Sequence, residues 1–146
     1  MKKIMSRFGE IEYDPEDTLS FPEGLIGFEM LREFIVMPNE KAGPLFWIQS
    51  IDDPQIAFVM TDPTNFFPDY TVAPDESERS KLGMQEGDEG FVLSVVTVHP
   101  DRSVTLNLQA PVLYAPASNR AIQVILDKGG YQTRTPLPVV DNPADK

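Results

Sequence analysis

The chain has no cysteine and a single histidine, His99. Those shortages exclude disulfide scaffolds, thiol catalysis, cysteine-based zinc sites and any metal site that needs two histidines. Long apolar runs are missing too. No window approaches 18 consecutive apolar residues, so no membrane-spanning helix is expected. Met1-Lys2-Lys3 is followed only by Ile4 and Met5 before Ser6 and Arg7, too short an apolar stretch for a signal peptide. Positive charge is scarce: Lys+Arg 12 against Asp+Glu 23 gives a formal net charge of −11. A surface of that sign repels phosphate backbones, so nucleic acid is not expected as a direct partner. Glycine-rich nucleotide loops, the G-K-[ST] phosphate loop and G-x-S-x-G are all absent. The expected setting is a soluble protein in the cytoplasm, away from membranes.

What is present fits one domain. A chain of 146 residues with 41% apolar side chains is long enough to bury a core without disulfides or metal. The 14 prolines are scattered and read as turn punctuation between short elements. Period-two alternation dominates. In residues 91–98, Phe91, Leu93 and Val95 share one face and Val92, Val96 and Val98 the other, so both faces are apolar and a central strand is expected. Residues 104–109 alternate Val104, Leu106 and Leu108 against Thr105, Asn107 and Gln109. Residues 121–126 set Ile122, Val124 and Leu126 against Ala121, Gln123 and Ile125. Residues 56–60 set Ile56, Phe58 and Met60 against Ala57 and Val59. Two further apolar runs, 33–37 and 45–51, have strand length, and residues 8–13 suggest a strand with a bulge near Gly9.

His99-Pro100-Asp101 and Asp52-Asp53-Pro54 are expected to turn hairpins, and Asp127-Lys128-Gly129-Gly130 to end another element. Elements recurring every 8–12 residues predict an all-β fold, a single-domain antiparallel β-barrel-like domain over 1–137. One or two short helices are expected, at about 28–33 and 75–82. A loose tail is expected at 138–146.

Candidate chemistry is sparse. His99, alone in a predicted turn, reads as a solvated loop residue. Acidic residues concentrate at 10–17 (Glu10, Glu12, Asp14, Glu16, Asp17) and at 75–90, where Asp75, Glu76, Glu78, Glu86, Asp88 and Glu89 face only Arg79 and Lys81. Neither has a calcium loop's order of carboxylates alternating around a central Gly, and no cofactor is expected. They are either solvated loops or an electrostatic docking surface for a basic protein. Phe66, Phe67 and Tyr70, between Pro63 and Pro68 and just beyond, either plug the barrel or anchor an interface. Asn107 and Gln109 line the polar face of their strand, where amides pair with solvent or with an incoming backbone. A small ligand-binding β-barrel and a hydrolase built on two carboxylates are rival readings.

Several ordered motifs resemble those of the flagellar assembly factor FliW family: FPEGLIGFE with its core at 23–29, IQSIDDPQIAF at 48–58, PTNFFPDY at 63–70, TLNLQAP at 105–111, and QVILDKGGYQTRTPL at 123–137. The resemblance covers about 8–137 and implies a β-barrel-like fold and a protein-binding regulator that is not an enzyme. Members of that family bind flagellin and, in competition, the translational regulator CsrA, and so antagonise CsrA on RNA. On that basis the partner-binding residues are expected among Phe67, Asp69, Tyr70, Asp75, Glu76, Glu78, Asn107 and Gln109, in a protein that is monomeric when free.

Overall fold

The structure, a computed structural model, describes residues 1–6, 8–38, 44–127 and 130–137. The tail expected at 138–146 lies outside the described residues, as do Lys128 and Gly129 of the expected turn. The strands are β1 (Lys2–Ser6), β2 (Gly9–Tyr13), β3 (Leu19–Ser20), β4 (Glu33–Pro38), β5 (Leu45–Ser50), β6 (Ala57–Thr61), β7 (Phe91–Val98), β8 (Val104–Leu106), β9 (Val112–Ala115), β10 (Arg120–Gln123) and β11 (Thr135–Pro136). The helix α1 spans Glu76–Lys81.

The sheet curls into a barrel. Its order β7–β6–β5–β4–β3–β10–β9 returns to β7 because β9 also pairs with β7. That closure depends on the length of β7, which serves three partners. Residues 91–93 pair with β9, residues 96–98 with β8, and residues 94–96 with β6 on the opposite edge. All pairings are antiparallel except the short parallel contact of Ser20 with Arg120.

Alternation along the strands separates two apolar environments. Leu93 and Val95 face the barrel interior, which is filled by Phe21, Phe34, Ile48, Met60 and Val112. Val92 and Val96 face outward and are covered by Tyr70, Leu106 and Leu108. A third cluster, Leu82, Leu113, Ala115 and Ile122, seats α1 on β9 and β10. The apolar character of both faces of β7 is thus explained: each is a core. Among the described residues, the barrel interior is packed by these side chains, as in small closed barrels.

Turn chemistry behaves as expected at two hairpins. Asp52 accepts the N–H groups of Arg32 and Glu33 at 2.7 and 3.0 Å. Buried Gln49 donates to the carbonyls of Pro54 and Ile56, fixing the β5–β6 turn. In the β7–β8 turn, the side chain and N–H of Ser103 hydrogen-bond to Asp101 and hold its carboxyl below the ordinary carboxylate range. His99 is not simply solvated. Its Nε2 meets Thr105 Oγ1 at 2.8 Å and ties the hairpin.

Three local expectations are corrected and one strand is added. Gly9 makes no bulge; it opens β2 at φ +98 after a tight turn, with Ser6 Oγ bonded to Phe8 N and Gly9 O. The partner strand β1, formed by Lys2–Ser6, was hidden in what looked like a failed leader. β8 stops at Leu106, because Asn107 Oδ1 turns back to accept Ala110 N–H at 3.0 Å. No helix forms at 28–33. Successive bonds Phe28 N–H to Leu25 O and Leu31 N–H to Phe28 O instead make a double turn, and β4 starts at Glu33.

Two glycines make that double turn. Gly24 (φ +69) passes so close to residue 29 that a Cβ would lie 2.5 Å from Glu29 Cα, whereas Gly27 (φ +87) faces open space. Both positions carry left-handed strain for any other residue, and only Gly24 adds a backbone collision. Gly27→Ala is expected to cost about 1 kcal/mol and Gly24→Ala roughly 3 kcal/mol or more, measured by urea unfolding. Equal costs would show that the close approach does not constrain the loop.

Candidate functional site: the aromatic loop and its cleft

The segment after β6 starts with an Asp cap. Asp62 Oδ1 accepts the N–H and hydroxyl of Thr64 at 2.9 and 2.6 Å, starting a 3-10 turn over Pro63–Asn65. Phe66 and Phe67 N–H then both bond to Pro63 O, and Tyr70 N–H bonds to Phe67 O. These bonds fold the aromatics back onto the outer face of β7 and β8 rather than into the barrel mouth.

The two aromatics of the expected site part company. Tyr70 is a core residue. Its hydroxyl donates to Leu108 O at 2.7 Å, and its ring meets Tyr131 edge-on at 4.9 Å. It is 3% exposed, and a buried phenol takes an internal hydrogen-bond partner in this way. Phe67 is half-buried and Asp69 exposed. With Phe66, Leu108 and Tyr131 they line an apolar cleft of about 320 Å³. Asn107 and Gln109, on either side of Leu108, are half-buried beside it. Folding therefore brings the loop and the 107–109 stretch together across more than 35 residues of chain.

Asn107 is largely committed to structure, through Ala110 N–H and through its carbonyl to Ser94 Oγ at 3.0 Å. The Gln109 backbone is tied to Gln132 and Leu126. Sequence reasoning missed Tyr131 and Leu108 as lining residues. Leu108 read as ordinary strand core, and Tyr131 follows a glycine pair where no alternation marks it.

The acids of α1 divide similarly. Asp75 and Glu78 form a capping box: Asp75 Oδ1 accepts Glu78 N–H at 2.7 Å and Glu78 Oε1 accepts Asp75 N–H at 2.9 Å. Glu76 is exposed. Arg79 reaches Gln85 O at 3.0 Å, and Lys81 pairs with Glu23 at 3.3 Å. The helix is seated by Leu82 on the third cluster, apart from the aromatic loop. Val72 packs against both clusters and links them. Among the described residues, no group of three His, Cys, Asp or Glu is placed to hold a metal ion.

A family model described as FliW protein matches residues 2–137. The chain belongs to the FliW family. Its members include Flagellar assembly factor FliW of Syntrophotalea carbinolica, 67% identical over 137 residues, with 94% of this chain and 98% of that relative covered. Flagellar assembly factor FliW 2 of Desulfotalea psychrophila is 59% identical over 140 residues, covering 96% and 93%. The solved crystal structure of the flagellar assembly factor FliW superposes with a TM-score of 0.85 at 28% identity, covering 94% of this chain and 98% of that one. The FliW family is thus β-rich in this member also, with α1 the single α-helix among the described residues. None of the described helices is long and apolar enough to cross a membrane.

Two expectations separate structural from docking roles here. Burial, and to a lesser degree Tyr131, raises the pKa of Tyr70 above its ordinary value of 10.0; burial raises that of Tyr114. The unfolded chain then releases protons first, so stability is full below pH 10 and falls as pH rises beyond it. Tyr70→Phe is expected to lose about 1 kcal/mol at neutral pH and to show a shallower alkaline decline in urea melts above about pH 10. Asp75→Ala should lose about 1 kcal/mol as a helix cap, while Glu76→Ala leaves the same melt unchanged.

Proposed function

We propose that this chain is a cytoplasmic flagellar assembly factor that binds flagellin and, in competition with it, the carbon storage regulator CsrA. It has no catalytic role in this reading and acts by occupancy. While it holds CsrA, flagellin translation proceeds; as flagellin accumulates it takes the protein away, and CsrA is released to repress. The observation that carries the reading is the cleft built from Phe66, Phe67, Leu108 and Tyr131 and edged by Asp69, in a chain of the FliW family. An apolar centre with a charged rim is the anatomy of a protein interface. A packed barrel interior speaks against a small-ligand carrier.

Charge supplies the mechanism of antagonism. CsrA binds RNA through positive surface. A carboxylate held roughly 8 Å from the phosphate path, at an effective dielectric near 20, opposes RNA binding by about 2 kcal/mol. Only acids within about one Debye length, roughly 8 Å, count. Asp69, exposed at the edge of the cleft, is the acid this reading sets nearest a partner docked there.

Direct titration of purified protein with flagellin and with CsrA tests the reading. Binding of both, each displacing the other, is expected; binding of neither overturns it. Phe67→Ala should weaken binding by about 2 kcal/mol with the melting temperature nearly unchanged. Glu76→Lys should slow association with CsrA about tenfold at low salt, with the difference closing as salt rises. Stopped-flow traces across a salt series read both. An early-melting Phe67→Ala that still binds would return Phe67 to the core.

A further inference from the structure

The double turn at residues 24–30 is a sequence motif that takes no part in the aromatic cleft. It is buried at its two ends and exposed between them. Leu25 and Leu31 are buried in the barrel core, while Ile26 is 51% exposed, Phe28 40% and Met30 87%. Ile125, two residues past the end of β10 at Gln123, is 59% exposed. The loop is joined to that strand end by Ile26 N–H donating to Gln123 Oε1 at 2.8 Å, while Gln123 Nε2 donates to Ala110 O at 2.9 Å. Four large apolar side chains therefore stand in water on one region of a protein that has a well-filled core elsewhere.

Their display is held rigidly. Gly24 packs against the backbone of residue 29 with no room for a side chain. The loop is closed by the Leu25–Phe28 bridge and by Arg32 N–H, which is fixed on Asp52 at 2.7 Å. Phe28 is the outer end of an aromatic ladder that runs inward: edge-on to Phe58 at 5.1 Å, then Phe34 at 6.1 Å, then Phe21 at 5.2 Å. A loop braced from core to surface loses little entropy when its apolar tips are covered. Exposed apolar clusters rimmed by polar groups mark interaction surfaces.

The rim fixes the sign of the partner. Glu29, Asp52 and Asp127 are exposed around the patch. The nearby Arg32 lays its Nε on Glu29 O at 2.9 Å. A second copy of this chain would bring another −11 against the same rim, which like-charge repulsion opposes. We propose that Ile26, Phe28, Met30 and Ile125 form a second docking surface, separate from the aromatic cleft, for an amphipathic segment that presents an apolar face flanked by lysine or arginine. This inference does not depend on the flagellin and CsrA reading.

The test uses two labelled helical peptides with the same leucine face, one carrying lysines on its remaining positions and the other glutamates. Fluorescence anisotropy is followed against the full chain. The lysine peptide should bind and the glutamate peptide should bind at least tenfold more weakly. The double substitution Ile26→Asp with Met30→Asp should weaken the lysine peptide tenfold or more, and Phe67→Ala should leave it unchanged. Glu29→Lys should weaken it at low salt and less so at high salt. Should the double variant melt early, Met30→Gln at the most exposed position is read in its place, with a several-fold loss expected. Equal binding of the two peptides, undiminished binding by the patch variants, or loss of binding in Phe67→Ala overturns the proposal. Sedimentation showing dimers that the patch variants dissolve would overturn it in favour of a second copy as occupant.

Discussion

The rest of the molecule depends on β7 having a core on each side. Its inward residues Leu93 and Val95 fill the barrel and its outward residues Val92 and Val96 carry the cover of Tyr70, Leu106 and Leu108. Eight residues are long enough to offer one edge to β9 and then β8 while the other edge holds β6. A shorter strand would satisfy one neighbour and leave the sheet open. Closure removes the free edge that an isolated sheet would expose, and the outer core then gives the aromatic loop somewhere to fold back. The cleft exists because that cover is incomplete at Phe67 and Tyr131.

The acidic residues have a role that sequence reading did not anticipate, beside the two it offered as alternatives. Solvation and electrostatic docking were those alternatives. The third is local: Asp14, Asp52, Asp53, Asp62, Asp75, Asp88 and Asp101 all accept backbone N–H groups in turns or at helix starts. Short carboxylates compete well for such donors. A chain with many short strands has many turns to cap, so part of the negative charge is a by-product of the topology.

The FliW family motifs map onto these same economies. The segment at 23–29 is a double turn needing Gly24, that at 48–58 is a hairpin pinned by Gln49 and Asp52, and that at 63–70 is an Asp-capped turn ending in a buried phenol. Each motif carries a structural requirement first. Partner contacts must be sought in the residues these requirements leave outside, and for the aromatic loop that residue is Phe67, beside the buried Tyr70.

The sequence by itself determined the longer central strands, and for β6 and β7 their inward and outward faces, since period-two alternation is a local property set by the pleat; the short strands β3, β9 and β11, and β1 before them, carry no such mark. It determined the cap of α1 and the hairpin turns for the same reason: each depends on side chains within a few residues. It did not determine that residues 28–33 would turn rather than coil. Their spacing suits a helix, and what decides is the packing of Gly24 against residue 29 together with the burial of Leu25 and Leu31. Nor did it separate Tyr70 from Phe67, or join Tyr131 to either. Those assignments follow from the meeting of segments 62–75, 107–110 and 126–132 over the outer face of β7, and contacts between residues distant in the chain leave no periodic trace in it.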